Sequence, residues 1–183
     1  AKKIAEAAAD LGIKYLTLYV FSTENWKRTE QEVGFLMDLI RKHLLNEFEF
    51  YKSHHIRIKH LGDIKGLPVD IQQELISAMD DTKDFTDGLT LTLAINYGGR
   101  DEILRAIKKL NSENKDLSTL DENQLAQNFD IPSLPDVDLL IRTGGEKRLS
   151  NFLLWNSAYA ELLFTDTLWP DYNKSEFYDN IIE

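Results

Sequence analysis

Arg142, Arg148, Ser150 and Glu161 have the types and spacing of a diphosphate receptor. The apolar run Leu139-Leu140-Ile141 stops at Arg142, is followed by Gly144 and Gly145, and leads to Arg148, Ser150 and then the carboxylate of Glu161. Two guanidiniums offer planar forks that match phosphate oxygens, and glycine lets the backbone approach closely. A neighbouring carboxylate suits a divalent cation, which is commonly held between one or two carboxylates and substrate phosphates. A plainer alternative stays open here: Arg142 caps a strand and pairs with Glu146. Two other apolar runs end in polar clusters, one at Ser22, Asn25 and Arg28, the other at Asn96 and Arg100.

The elements that must position these residues can be read from periodicity. Ile4, Ala7, Ala8 and Leu11 fall on one helical face, and Ile13 to Phe21 is β-branched and aromatic enough for a buried strand. Thr29 with Glu32 three residues on forms a capping box that opens a helix to about Tyr51, with Val33, Leu36, Met37, Ile40, Leu44 and Phe48 on one face. A strand over His55–Leu61, a helix through Ile71, Leu75, Ala78 and Met79, and a strand over Leu89–Ile95 follow. Next come a helix over Asp101–Leu110, a weaker one over Asp121–Phe129, and a strand over Val137–Ile141. A short helix over Asn151–Ser157 and a last short strand over Ala160–Phe164 close the series, and Asp171 is expected to cap the C-terminal segment.

Alternating strands and helices imply an α/β fold with a mostly parallel central sheet flanked by helices. In such sheets ligands sit beyond the carboxyl ends of the strands. If the strands share one sheet, the three polar clusters lie along one edge.

Composition narrows the function. A chain of 183 residues, 43% apolar and 10% aromatic, is expected to form a single domain with a sizeable core. The net charge of -10 argues against nucleic acid or an anionic membrane as the main partner, since both are polyanions. The arginines must therefore act locally. With no cysteine, disulfides, zinc-thiolate sites and thiol nucleophiles are all excluded, which suits a reducing compartment. His43, His54, His55 and His60 show no metal-ligand spacing and read as surface or structural groups. The first residues already follow a helical pattern, so an N-terminal strand and phosphate loop are expected to be missing and the last helix to be cut at Glu183.

The segments LTLYVFSTENWKR, LAINYGGR, DLLIRTGGEKRLSNFLLW and AYAELLFTDTLWPD, in this order, resemble the cis-prenyltransferases, specifically the bacterial undecaprenyl diphosphate synthases. The resemblance implies a transferase that extends farnesyl diphosphate with isopentenyl diphosphate in cis geometry, using Mg²⁺, to make the undecaprenyl diphosphate lipid carrier of cell-wall synthesis. It further implies a cytoplasmic homodimer that touches the inner face of the membrane through its product.

By the same resemblance, Arg142, Arg148 and Ser150, with the Leu149 backbone between them, hold the diphosphate of isopentenyl diphosphate, joined by Arg28. Asn25 assists loss of the proton at carbon 2, and Ser22, Thr23, Glu24 and Trp26 form the surrounding substrate-contact loop. An amide is a poor base, so Asn25 reads as a positioning or relay group. Glu161 is the second Mg²⁺ carboxylate. The first belongs to a segment of the type His-x-x-x-x-Met-Asp-Gly-Asn-x-Arg-Trp, which this sequence does not contain, and without it the chain is expected to turn over nothing.

A growing isoprenoid must be kept from water, at about 25 cal/mol per Å² of apolar surface. The resemblance places a hydrophobic tunnel along the Val33–Phe48 face and the strand Leu89, Leu91, Leu93 and Ile95, although periodicity alone makes these ordinary core residues. Leu89 falls where a floor residue limiting product length is expected. Two rivals stand beside the enzyme. One is a non-catalytic partner subunit of a two-chain prenyltransferase, disfavoured because Ser22, Asn25, Arg28 and Glu161 are all retained. The other is an α/β phosphate-binding module or phosphatase, disfavoured because no strand ends in a nucleophilic Asp or Cys.

Overall fold

The computed structural model describes residues 1–182, with backbone alone for residues 44–46. Its elements in chain order are α1 (Lys2–Asp10), β1 (Tyr15–Ser22), α2 (Glu30–Ser53), β2 (Arg57–Leu61), α3 (Val69–Asp81) and β3 (Thr90–Tyr97). They continue with α4 (Gly99–Ser112), α5 (Glu122–Ala126), β4 (Leu139–Arg142), β5 (Glu161–Phe164) and α6 (Lys174–Ile182). The chain divides into two units, Ala1–Asn96 with Asn173–Glu183, and Tyr97–Tyr172. Glu183, the expected cut end of the last helix, lies outside the described residues, as does the side chain of Leu44.

In the first unit the sheet order is β1-β3-β2, with β2 parallel to β3 in a register running from Arg57 opposite Thr90 to Leu61 opposite Ala94. Every residue of β3 is buried, as befits a central strand covered on both faces. The capping box forms as read: Thr29 Oγ1 accepts from the Glu32 N–H at 3.3 Å while Glu32 Oε2 accepts from the Thr29 N–H at 3.1 Å. Two ion pairs tie α2 to α3, Arg41 with Asp70 and Lys52 with Asp81. Glu6 and Lys174, 2.6 Å apart, join α1 to α6.

The second unit places β4 parallel to β5, from Leu139 opposite Glu161 to Arg142 opposite Phe164. Its core gathers Ala106, Leu110, Leu125 and Phe129, with Trp155 packed edge-on to Phe129.

Three expectations are corrected. Residues 151–157 form turns rather than a helix, because Ser150, Asn151 and Leu153 take φ of 52°, 65° and 44°, a left-handed backbone that cannot continue a right-handed helix. The helix expected to reach Phe129 stops at Ala126, where the Asn128 N–H turns back to the Leu125 carbonyl. Asn173, not Asp171, caps α6: its Oδ1 accepts from the Ser175 and Glu176 N–H groups at 3.0 and 3.2 Å. Among the described residues no helix is long and apolar enough to cross a membrane.

Candidate active site

In the first unit β1 runs into a single 3₁₀ turn, Thr23–Lys27. The Ser22 N–H donates to Asn25 Oδ1 at 2.8 Å, so the amide carbonyl of Asn25 is engaged in shaping the turn. Its Nδ2 has no partner among the described residues, which leaves Asn25 as a donor rather than a base. Thr23 Oγ1 donates to Glu24 Oε2 at 3.3 Å. Trp26 Nε1 donates to Asn96 Oδ1 at 2.7 Å, and its ring lies edge-on to Phe21 with centroids 5.0 Å apart. Arg28 is exposed and forms no ion pair among the described residues. Trp26 and Arg28 open onto a cavity of about 460 Å³ whose walls include Val33, Gly34, Met37 and Pro68.

The cavity therefore lies along the first half of the α2 face that the sequence marked. Leu89, Leu91, Leu93 and Ile95 are at most 6% exposed and serve as core.

In the second unit β4 ends on Arg142, half-buried, whose Nη1 donates to Ser150 Oγ at 3.0 Å. No carboxylate pairs with Arg142 among the described residues. The Arg142–Glu146 alternative is thus overturned, since Glu146 pairs with Arg148 instead. That pair is solvent-exposed on both sides, so little free energy opposes its exchange for a phosphate. Gly144 and Gly145, at φ of 88° and 77°, spend their N–H groups on the Thr167 and Thr165 carbonyls, and contact with an anion falls to the arginine and serine side chains. The Leu149 N–H has no partner among the described residues.

The sequence did not single out Asn151. Its backbone carbonyl accepts from the Gly99 N–H at 2.7 Å and its Oδ1 from the Arg100 N–H at 2.9 Å, docking the serine loop on the start of α4. The only available signal was an asparagine beside Ser150 and a glycine pair before the helix. Asn96 and Arg100 do brace loops, Arg100 through its backbone.

Glu161 opens β5 with an exposed side chain, its N–H bonded to the Asp138 carbonyl at 2.8 Å. Among the described residues no three His, Cys, Asp or Glu side chains cluster as a metal cage. A lone carboxylate fits Mg²⁺ when diphosphate oxygens and water complete an octahedral shell.

A prenyltransferase family model, described as "Putative undecaprenyl diphosphate synthase", matches residues 1–183. The chain belongs to this family. It is 59% identical over 180 residues to the isoprenyl transferase of Treponema denticola, covering 98% of this chain and 78% of that one. It is 49% identical over 181 residues to the isoprenyl transferase of Aquifex aeolicus, covering 97% and 75%. The structure is similar to that of a probable undecaprenyl diphosphate synthase from Campylobacter jejuni, with a TM-score of 0.89 and 39% identity over 99% of this chain and 84% of that one. It is equally similar, at 0.89 and 32% identity over 99% and 80%, to lavandulyl diphosphate synthase from Lavandula x intermedia in complex with dimethylallyl diphosphate. Membership in the prenyltransferase family makes the protein a prenyl transferase of the cis-prenyltransferase fold, and removes the phosphatase reading.

Proposed function

We propose that this prenyl transferase adds isopentenyl diphosphate to an allylic starter, farnesyl diphosphate, in cis geometry, building undecaprenyl diphosphate for the cell-wall lipid carrier. The observation that carries this reading is Arg142: a half-buried guanidinium at a strand tip, bonded to a serine hydroxyl and to no carboxylate. Such a cation is stabilised when an anion arrives, and a diphosphate is the anion that its planar fork matches.

In the reaction the carbon–oxygen bond at carbon 1 of the allylic substrate breaks as the double bond of isopentenyl diphosphate attacks that carbon. The proton at carbon 2 then leaves. Arg142, Arg148, Ser150 and the Leu149 N–H hold the diphosphate of isopentenyl diphosphate, and Arg28 contributes a further cation. Fixed donors of this kind need no reorganisation as charge develops. Asn25 orients the diphosphate-bearing substrate through its Nδ2 hydrogens and relays the departing proton to a diphosphate oxygen. Ser22, Thr23, Glu24 and Trp26 shape the contact loop, and the cavity beside Trp26 takes the apolar tail. Mg²⁺, held by Glu161 and diphosphate oxygens, would neutralise charge on the leaving group.

A homodimer belongs to the same proposal, supported by the exposed Tyr159, Leu162, Leu168 and Trp169 of the second unit. So does a cytoplasmic location in which the lipid product meets the membrane surface. Incorporation of labelled isopentenyl diphosphate by the full-length protein, with chromatography of the products, tests the reaction. A ladder of cis-polyprenyl diphosphates dependent on farnesyl diphosphate is expected; no incorporation with any allylic starter would refute it.

A further inference from the structure

Asn96 is 5% exposed and stands at φ 55°, a left-handed conformation that asparagine tolerates better than most side chains. Each polar atom of its amide is engaged. Oδ1 accepts from Trp26 Nε1 at 2.7 Å, and Nδ2 donates to the Asp63 carbonyl at 2.8 Å. Its backbone carbonyl accepts from the Asp63 N–H at 3.1 Å. One residue at the end of β3 thus holds the loop after β1 and the loop after β2.

The surrounding backbone is built for this approach. A Cβ on Gly62 would lie 2.3 Å from the Ile95 carbonyl oxygen and 2.7 Å from that of Asn96, and one on Gly66 would lie 2.6 Å from Asn96 Nδ2. Side chains at 62 and 66 would therefore push Asn96 off its partners.

The consequence falls on Trp26. Indole has a single donor, and here it is spent on Asn96 while the ring remains 39% exposed in the wall of the cavity. With its polar atom turned to Asn96, the indole offers the cavity hydrocarbon surface.

We infer that Asn96 is a positioning residue, which by binding the indole N–H fixes Trp26 as an apolar wall selecting the isoprenoid tail of the allylic diphosphate. The inference rests on the substrate reading proposed above. Asn96 touches no reacting atom; it acts through Trp26, and Gly62 and Gly66 act through Asn96.

The test uses the full-length protein and two variants, Asn96→Ala and Asn96→Gly. The glycine variant removes the amide while keeping the left-handed backbone free of strain, so it separates the side chain from folding. The first readout needs no substrate: the indole N–H of Trp26, assigned by its loss in Trp26→Phe, is followed by ¹⁵N-resolved hydrogen exchange. It is expected to exchange at least about 10-fold faster in Asn96→Gly, the scale of one lost buried hydrogen bond. The second readout is kinetic. KM for farnesyl diphosphate is expected to rise about 10-fold with kcat within about 2-fold, and the rise is expected to vanish in the Trp26→Phe background, as for two residues acting as one unit.

Unchanged indole exchange in Asn96→Gly overturns the inference. So does faster exchange with an unchanged KM, or a KM effect that persists without Trp26. If the unaltered protein transfers no prenyl group, the substrate reading fails instead, and the exchange result shows that failure to be separate.

Discussion

Tyr97 donates its phenolic hydroxyl to Glu102 Oε2 at 2.7 Å in the interior of the second unit, where Glu102 is 3% exposed. The Asp130 N–H reaches the other carboxylate oxygen at 3.3 Å. Burial pushes the Glu102 pKa above the ordinary carboxylate value; the Tyr97 hydrogen bond opposes the shift without cancelling it. The stability that a raised pKa confers is fully present below the unfolded-state value and is lost as pH rises through the folded-state value. Urea unfolding of the wild type against Glu102→Gln, from pH 4 upward, is expected to show the wild type losing ground as pH rises. The slope should not exceed about 1.4 kcal/mol per pH unit for one proton, and should level off once Glu102 is ionised in both states. A pH-independent difference would show that Glu102 does not titrate in this window.

Arg142→Lys is expected to be nearly as damaging as Arg142→Ala. The Nη1 bond to Ser150 and a second N–H for a phosphate oxygen require a planar fork, which an ammonium lacks. Isothermal titration with isopentenyl diphosphate should show affinity falling roughly 10- to 100-fold for both variants, the cost of about 1.5–3 kcal/mol for a charge-assisted contact. Ser150→Ala should cost less, and its effect should shrink in the Arg142→Ala background. Affinity unchanged in Arg142→Ala would remove that residue from the site.

How much of this was legible beforehand depends on where the determinants lie. The Thr29–Glu32 box and the alternating strands are local signals, and α2, β3 and the parallel pairing derive from them. Arg142 at a strand tip beside Ser150 was likewise visible, because an apolar run ending in arginine and glycine has few other uses. The turns at 151–157 were not. Phe152, Leu153, Leu154 and Trp155 carry helical composition, and only the docking of Asn151 on the start of α4 imposes the left-handed residues that forbid a helix. Similarly, nothing local marks Asn96 as the meeting point of Trp26 and Asp63, which lie 70 and 33 residues away.

Asn151→Ala should therefore harm both stability and binding. It removes the acceptor of the Arg100 N–H and leaves an alanine at φ 65°, together about 1–3 kcal/mol. Asn151→Gly keeps the backbone and loses only the cap, so it should recover part of the thermal stability while KM for isopentenyl diphosphate stays raised. Equal melting temperatures for the two variants would mean that backbone strain at this position is negligible.

Leu89 is 3% exposed and its carbonyl accepts from the Arg57 N–H at 2.9 Å, so it is both packed and pinned at the start of β3. Leu89→Ala is expected to lower stability by about 2–5 kcal/mol, as for a buried leucine that leaves a void. If Leu89 also floors the channel for the growing chain, the same void admits additional isoprene units, and the products of the full-length variant should shift to longer chains. The two effects separate experimentally. Leu91→Ala, at a core position 0% exposed on the same strand, should destabilise to a similar degree without lengthening the product. A matched loss of stability with identical product ladders for both variants would make Leu89 a core residue alone.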